Sequence, residues 1–454
     1  MEKGRRMQLI RLLSLSFLSL ITLSGVNAGT SEQVTDYMLD NGMQVVVIED
    51  HRAPVVVHMV WYKAGSGEED PGVSGVAHFL EHLLFKKTKT LESGEFSRIV
   101  AENGGSGNAF TSFDYTVYFQ RVAADRLPLM MRMEADRMIN LDLGPEDILT
   151  EREVIIEERN QRVENDPGAL FREQRNAALY LNHPYGIPII GWRHEMEQLD
   201  LEDALAFYRQ FYAPNNAVLV VAGDVEPENV LQLAKDTYGK IPPNPKLQER
   251  NRRQEPPHTS ARRMTFYDER VGQPYVIRTY LAPERDPGAQ KDAAALTLLA
   301  EILGGGQTSV LTQKLQFETQ TAVYAGAFYN GTALDDTTFG LIVVPSEGVS
   351  LQEAEDAMDK TVLEFIEAGV DEEQLARLKM QFRASEIYAR DNVKGLANAY
   401  GVALTSGLQL QDIEAWPDIV KGVTGEEIIE AAKAVFVKEK SVTGWLMKDE
   451  GDAK

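Results

Sequence analysis

Between residues 241 and 263 the chain reads IPPNPKLQERNRRQEPPHTSARR, rich in Pro, Asn, Arg, Lys and Glu and without apolar periodicity. That composition predicts a linker. It divides the 454 residues into two parts, each of a size that one hydrophobic core can serve. Both parts follow one plan. In the first, β-branched and apolar runs predict strands at 43–49 and 55–63, followed by helices at 75–85 and 93–103 and a strand at 116–122. Helical spacing then covers 123–140 and 145–162, with Pro145 placed for a first turn, before a buried strand at 216–222 and a helix at 226–238. In the second, strand-like 274–282 precedes a helix at 289–303, strands at 322–329 and 338–344, and long helices. The likeness is one of order, not of residues. It predicts an α/β (α+β) chain of two related domains, 29–245 and 263–454, each a mixed β-sheet with helices packed on it, joined by a linker at 246–262.

The first thirty residues stand apart. Lys3, Arg5, Arg6 and Arg11 precede an apolar run from Leu12 to Leu23, and Val26-Asn27-Ala28 offers small residues at the spacing of a cleavage site. The run is shorter than the roughly 20 residues a membrane span needs. Residues 1–28 therefore read as a signal peptide, an uncleaved anchor being the competing reading, and no span is expected after cleavage.

There is no cysteine, which removes disulfides, thiolate ligands and a cysteine nucleophile together. Any metal must sit on His and carboxylate groups. Removing a leader with four basic residues and one acidic residue takes the formal charge from −23 to −26. Nucleic acid is not an expected partner for such a chain, since binding it depends on neutralising phosphates with Lys and Arg.

His78-Phe79-Leu80-Glu81-His82 carries the chemistry. On a helix, residues four apart share a face one turn apart, so both imidazoles can reach one ion. Glu81 lies near that face and can take a proton from a water at the metal. The order inverts H-E-x-x-H and is the inverzincin pattern. Two histidines and a glutamate can also share a helix by chance, so the context has to decide. A third ligand must come from another element, and the helix carrying Glu151 to Glu158 is the candidate. Its two glutamates, seven residues apart, return to one face after two turns. Glu158 can then ligate while Glu151 supports the site from behind. An acidic helix alone is more often a solvated face.

Four segments together resemble the pitrilysin/insulysin family of zinc peptidases. They are Gly72 to Lys87 (GVSGVAHFLEHLLFKK), Glu151 to Glu158, Asn108 to Phe119 (NAFTSFDYTVYF) and Phe211 to Asp224 (FYAPNNAVLVVAGD). The closest likeness is to the two-domain branch that includes the mitochondrial processing peptidases and bacterial relatives. The resemblance implies His78, His82 and Glu158 as Zn²⁺ ligands, Glu81 as base and Glu151 as supporting carboxylate. It also implies that Asn108, Ala109, Phe110 and Thr111 form an edge strand that pairs with the substrate backbone, Asn108 lying near the scissile bond. Read from the residues alone, that strand is an ordinary edge strand. Lys87 stands where relatives usually carry glycine.

The second domain departs from the family. Active relatives carry, after a glycine-rich turn, an arginine and seven residues later a tyrosine that hold the substrate opposite the zinc. Here the turn is Leu303 to Ser309 (LGGGQTS) and Tyr324 fits the tyrosine, but seven residues earlier stands Phe317, between Gln316 and Glu318. The glycines are no phosphate loop, because no Lys-Ser/Thr follows them. The missing arginine implies that a related partner subunit supplies the clamp, as in heterodimeric members of this branch.

The expectation is thus a zinc endopeptidase subunit that cleaves peptides or unfolded segments in an enclosed chamber. It would be exported across the inner membrane to the bacterial periplasm. The rival readings are a non-catalytic scaffold or peptide-binding subunit of the same fold, and a peptidase complete as a homodimer.

Overall fold

A computed structural model describes residues 34–449 of the chain. The signal peptide read over 1–28 lies outside them. Among the described residues no helix is long and apolar enough to cross a membrane.

Eleven strands are described, and they form two sheets. The first contains β1 (Val34–Met38), β2 (Gln44–Glu49), β3 (Val55–Tyr62), β4 (Ser106–Thr111), β5 (Thr116–Ala123) and β6 (Ala217–Gly223), in the order β1-β2-β6-β3-β5-β4. The second contains β7 (Arg262–Asp268), β8 (Tyr275–Ala282), β9 (Ala322–Tyr329), β10 (Thr337–Pro345) and β11 (Ser441–Lys448), in the order β7-β11-β8-β10-β9. With β1 set aside, both sheets run first-fifth-second-fourth-third in chain order. In each, only the first and fifth strands pair parallel. The repeated plan read from the sequence is therefore a repeated topology within a mixed α/β fold.

Side chains alternate along a strand, and the first sheet sorts its residues accordingly. Val45, Val47, Val56, Val60, Leu219 and Val221 join one core cluster, while Val46, Ile48, Val57, Met59, Trp61, Val218 and Val220 join another. Both faces are covered, which explains why β2, β3 and β6 read as unbroken apolar runs.

The cover over the second of these faces comes from the other half of the chain. Helix Val393–Thr405 lays Ala397, Tyr400 and Leu404 on it. The Trp61 ring occupies the space beside Gly401, where a Cβ would come within 2.0 Å of an indole carbon. The reverse contact exists too. Helix Pro167–Leu179 places Phe171 against Val271, Ile277 and Leu446 of the second half, in a hollow left by Gly444 of β11. Each sheet is thus backed by a helix from the opposite half.

The linker stretch has no helix or strand between Ile241 and β7, but it is not a free spacer. Glu255 accepts the backbone N–H groups of Leu181, Asn182 and His183 at 2.6, 3.0 and 2.9 Å. Arg250 donates to the carbonyls of Lys63 and Thr405 at 3.1 and 2.8 Å. The segment is a strap fixed to both halves. β1, β7 and β11 are additions to the elements expected from sequence.

Candidate active site

The helix Val76–Leu83 carries His78, Glu81 and His82 and is buried apart from His82. It starts at Gly75, whose φ of 89° favours glycine. A Cβ there would meet the Ile190 carbonyl oxygen at 2.6 Å. Its first N–H groups need acceptors. Glu69 supplies them, accepting from Gly75 and Ala77 at 2.9 Å each. Burial pushes the Glu69 carboxyl well above its usual range, against the pull of those two hydrogen bonds.

Glu151 and Glu158 lie on helix Pro145–Arg159, with the fully buried Ile155 between them. Pro145 opens this helix as expected, and Asp147 accepts the Gly144 N–H at 2.8 Å. The two helices bring the expected ligands together. Nε2 of His82 lies 3.3 Å from Oε2 of Glu158, and Nε2 of His78 lies 3.6 Å from Oε1. Candidate ligand atoms of His78, His82 and Glu158 all fall within 4.8 Å of one another. On the far side of His82, Nδ1 is 2.8 Å from Oε1 of Glu151.

These distances suit zinc. Ligands about 2.0–2.1 Å from a tetrahedral ion stand about 3.4 Å from each other. Two imidazoles and a carboxylate form a donor set that zinc accepts, and the only such group of His and acidic residues among the described residues is this one. Nδ1 of His78 is buried without a hydrogen-bond partner among those residues. Burial opposes charge on His82, but hydrogen bonds to Glu151 and Glu158 raise its pKa to about 9. Hydrogen bonds from His78 and His82 hold the Glu158 carboxyl well below its usual range, and Glu151 is lowered by His82 and Lys86.

Glu81 is buried, and its Oε2 accepts a 2.6 Å hydrogen bond from the Thr111 hydroxyl. No hydrogen bond to Oε1 occurs among the described residues. Thr111 ends β4, which pairs only with β5 and leaves its other edge open. Along β4, Asn108 is exposed, Ala109 points into the core, and Phe110 packs edge-on against Trp61 with ring centroids 5.8 Å apart. A cavity of about 180 Å³ opens beside Asn108, walled by Phe85, Phe96, Val100 and Gln120.

Tyr324 is not joined to this group. It stands 52% exposed on β9, an edge strand of the second sheet, and makes no hydrogen bond to His78, His82 or Glu158 among the described residues. Phe317 is 55% exposed on the wide helical turn Thr312–Glu318. Gly304, the first of the three glycines, sits against β9, where a Cβ would come within 1.8 Å of the Ala327 nitrogen. Lys87 is accommodated without strain, since its φ is not in the left-handed region, and its ammonium lies 3.3 Å from Asp142.

Sequence reasoning missed three neighbours of the site, Glu69, Arg162 and Lys86, and one contact, that of Thr111, which it placed on the substrate strand, with Glu81. Glu69 caps the histidine helix, Thr111 holds Glu81, Arg162 lies 2.8 Å from Oε1 of Glu158, and Lys86 lies 2.5 Å from Oε2 of Glu151. Arg162 and Lys86 each stand four residues after a residue of the site, a spacing that could have revealed them.

A family model described as Insulinase (Peptidase family M16) matches residues 44–192, and one described as Peptidase M16 inactive domain matches 198–382. Zinc protease PqqE of Helicobacter pylori is 31% identical over 459 residues, covering 96% of this chain and 98% of the relative. The crystal structure of a protease from Helicobacter pylori matches with a TM-score of 0.84 at 28% identity, over 91% of this chain and 99% of that one. The periplasmic protease PqqL from Escherichia coli shares the fold, with a TM-score of 0.80 at 19% identity, over 92% of this chain and 48% of that one. Since the likeness to the first relative runs almost from end to end, and the first family model spans both helices of the candidate site, the chain belongs to peptidase family M16, the insulinase family.

Proposed function

We propose that the chain is a zinc-dependent endopeptidase subunit acting on peptides or unfolded segments in the bacterial periplasm. The observation that carries this reading is the convergence of His78, His82 and Glu158 beside a buried Glu81 with one free oxygen. His78, His82 and Glu158 would hold the ion, which when bound polarises a substrate carbonyl and acidifies a water. Glu81 takes the water proton at Oε1 and returns it to the leaving amine. Thr111 keeps Oε2 occupied, so the carboxylate presents one oxygen only. Glu151 accepts from Nδ1 of His82 and leaves Nε2 to face the ion.

Substrate binds as an added strand along the open edge of β4, past Asn108 to Thr111. Only extended backbone can do so, which selects peptides and unfolded segments. Residues 29–245 form the zinc-bearing domain, with 246–262 as the strap. The 263–454 domain lacks the clamping arginine at position 317. A related partner subunit supplies that arginine and its tyrosine, the two chains enclosing a chamber. The PqqL protease supports a paired arrangement, since this chain matches about half of it, and its periplasmic location agrees with the leader read over 1–28. A homodimer is the alternative assembly. A second reading is a peptide-binding subunit without turnover, favoured by Phe317 and by the inactive-domain model that matches residues 198–382.

The test is zinc content and hydrolysis of an unstructured peptide by the mature chain, alone and with a co-expressed partner, with Glu81→Gln as control. Zinc binding with partner-dependent activity that Glu81→Gln abolishes is the expected result. Zinc without turnover in any mixture favours the binding subunit. Absence of zinc, or activity that survives Glu81→Gln, defeats the peptidase reading.

A further inference from the structure

Glu151 can hold His82 only if its carboxylate stays in one rotation and keeps its charge. One oxygen does the holding, Oε1 at 2.8 Å from Nδ1 of His82. The other, Oε2, lies 2.5 Å from the ammonium of Lys86. The Lys86 side chain is 21% exposed and that of Glu151 11%, so the pair is largely shielded from the screening that weakens surface ion pairs. Among the described residues no other ion pair or hydrogen bond engages the Lys86 ammonium.

The backbone places Lys86 for this contact. Helix Val76–Leu83 ends before it, yet Phe85 N–H donates to the His82 carbonyl and Lys86 N–H to the Leu83 carbonyl, both at 3.0 Å. The chain therefore keeps its turn for one more step. Lys86, four residues beyond His82, comes out on the same side as the imidazole. Glu151 then sits across the gap with one oxygen for each. Without Lys86, Oε2 would be left buried with no partner, and the carboxylate would gain by rotating toward water.

We infer that Lys86 is a positioning residue for the metal centre: by holding Oε2 of Glu151 it keeps Oε1 on Nδ1 of His82, and so keeps Nε2 aimed at the ion shared with His78 and Glu158. The inference rests on the zinc reading above. It differs from a plain staple between two helices, because Lys86 then matters to the metal only through Glu151.

The experiment is a zinc dissociation constant, by competition with a chromophoric chelator, for the mature chain and for Lys86→Met, Glu151→Gln and the double variant. Partners of this kind are worth about 10–100-fold in metal affinity, so Lys86→Met is expected to weaken zinc by about tenfold. With Glu151→Gln already present, adding Lys86→Met should change the constant by less than about twofold, because two residues acting through one contact do not add. Lys86→Arg, which keeps the charge, should recover most of the affinity and covers the case of a misfolded Lys86→Met. An unchanged constant in Lys86→Met, or the same penalty with and without Glu151, overturns the positioning role and leaves the zinc reading standing. A parent chain that binds no zinc overturns both.

Discussion

The Thr111 hydroxyl donates to Oε2 of Glu81 across 2.6 Å, joining the last residue of the open edge strand to the buried carboxylate between the two histidines. The bond ties the strand that would carry substrate to the group that would move the proton. Thr111→Val removes it while keeping the shape of the side chain. A hydrogen bond to a charged group contributes about 1.5–3 kcal/mol, and about 1.4 kcal/mol is a factor of ten in rate. We expect kcat to fall by about tenfold or more with zinc content unchanged, and Thr111→Ser to restore it. Equal kcat in Thr111→Val would mean that Glu81 needs no help from the strand.

Zinc binding should depend on pH through His82. Its pKa of about 9 in the metal-free chain lies above the unfolded value, so its pairing with Glu151 and Glu158 stabilises that chain fully below pH ~6.5 and is lost as pH rises through about 9. The lowered Glu151 and Glu158 act in the opposite sense. Their contribution is present above pH ~4.3 and fades as pH falls through their folded values. Zinc requires the neutral imidazole, so binding displaces the His82 proton. Affinity should strengthen about tenfold per pH unit from pH ~6.5 toward 9 and then level off. Calorimetry in buffers of different ionisation enthalpy reads the released proton directly. A constant affinity over that range would place a neutral His82 in the metal-free chain.

The legible parts of the molecule are those written in local pattern. Val45 to Ile48 and Val218 to Ala222 are buried on both faces and read as strands without ambiguity. His78, Glu81 and His82 follow from the helical repeat. Strands β7 and β11 are not legible in the sequence, because RRMTFYD follows a Pro- and Arg-rich stretch, and SVTGWLMK, broken by Gly444, holds together by pairing with β7 and β8. The strap misleads for a related reason. Arg250 and Arg252 look like solvated charge in the sequence, whereas their partners are Glu68, Asp114 and Asp335, which only the tertiary fold brings near. Thr111 beside Glu81 was equally out of reach, since 30 residues separate them.

Arg252 supplies the next expectation. Its side chain is 4% exposed and bonds Glu68 at 2.8 Å, Asp114 at 2.6 Å and Asp335 at 2.9 Å, three carboxylates from three separate segments of the chain. Arg252→Met removes the cation that all three share and leaves Arg250, 3.5 Å from Glu68, as the remaining guanidinium beside them. Breaking a buried charge cluster in this way costs about 3–5 kcal/mol. Urea unfolding should show that loss, with a much smaller one for Asp335→Asn, which removes a single arm. A loss below about 1 kcal/mol, the ceiling for a surface pair, would mean that water reaches the cluster.

Phe317 allows the partner hypothesis to be tested by gain rather than loss. It is 55% exposed, seven residues before the equally exposed Tyr324, so an arginine there has room and removes no core contact. If the lone chain lacks only the clamping cation, Phe317→Arg should give it one charged donor for a substrate carbonyl. A hydrogen bond of that kind contributes about 1.5–3 kcal/mol, or roughly ten- to a hundredfold in kcat/KM. We therefore expect Phe317→Arg to raise hydrolysis of an unstructured peptide without any partner, and Glu81→Gln in the same chain to abolish the gain. Should Phe317→Arg stay as slow as the parent while the co-expressed partner activates both, the partner brings more than an arginine, and the shape of the closed chamber becomes the part that the lone chain lacks.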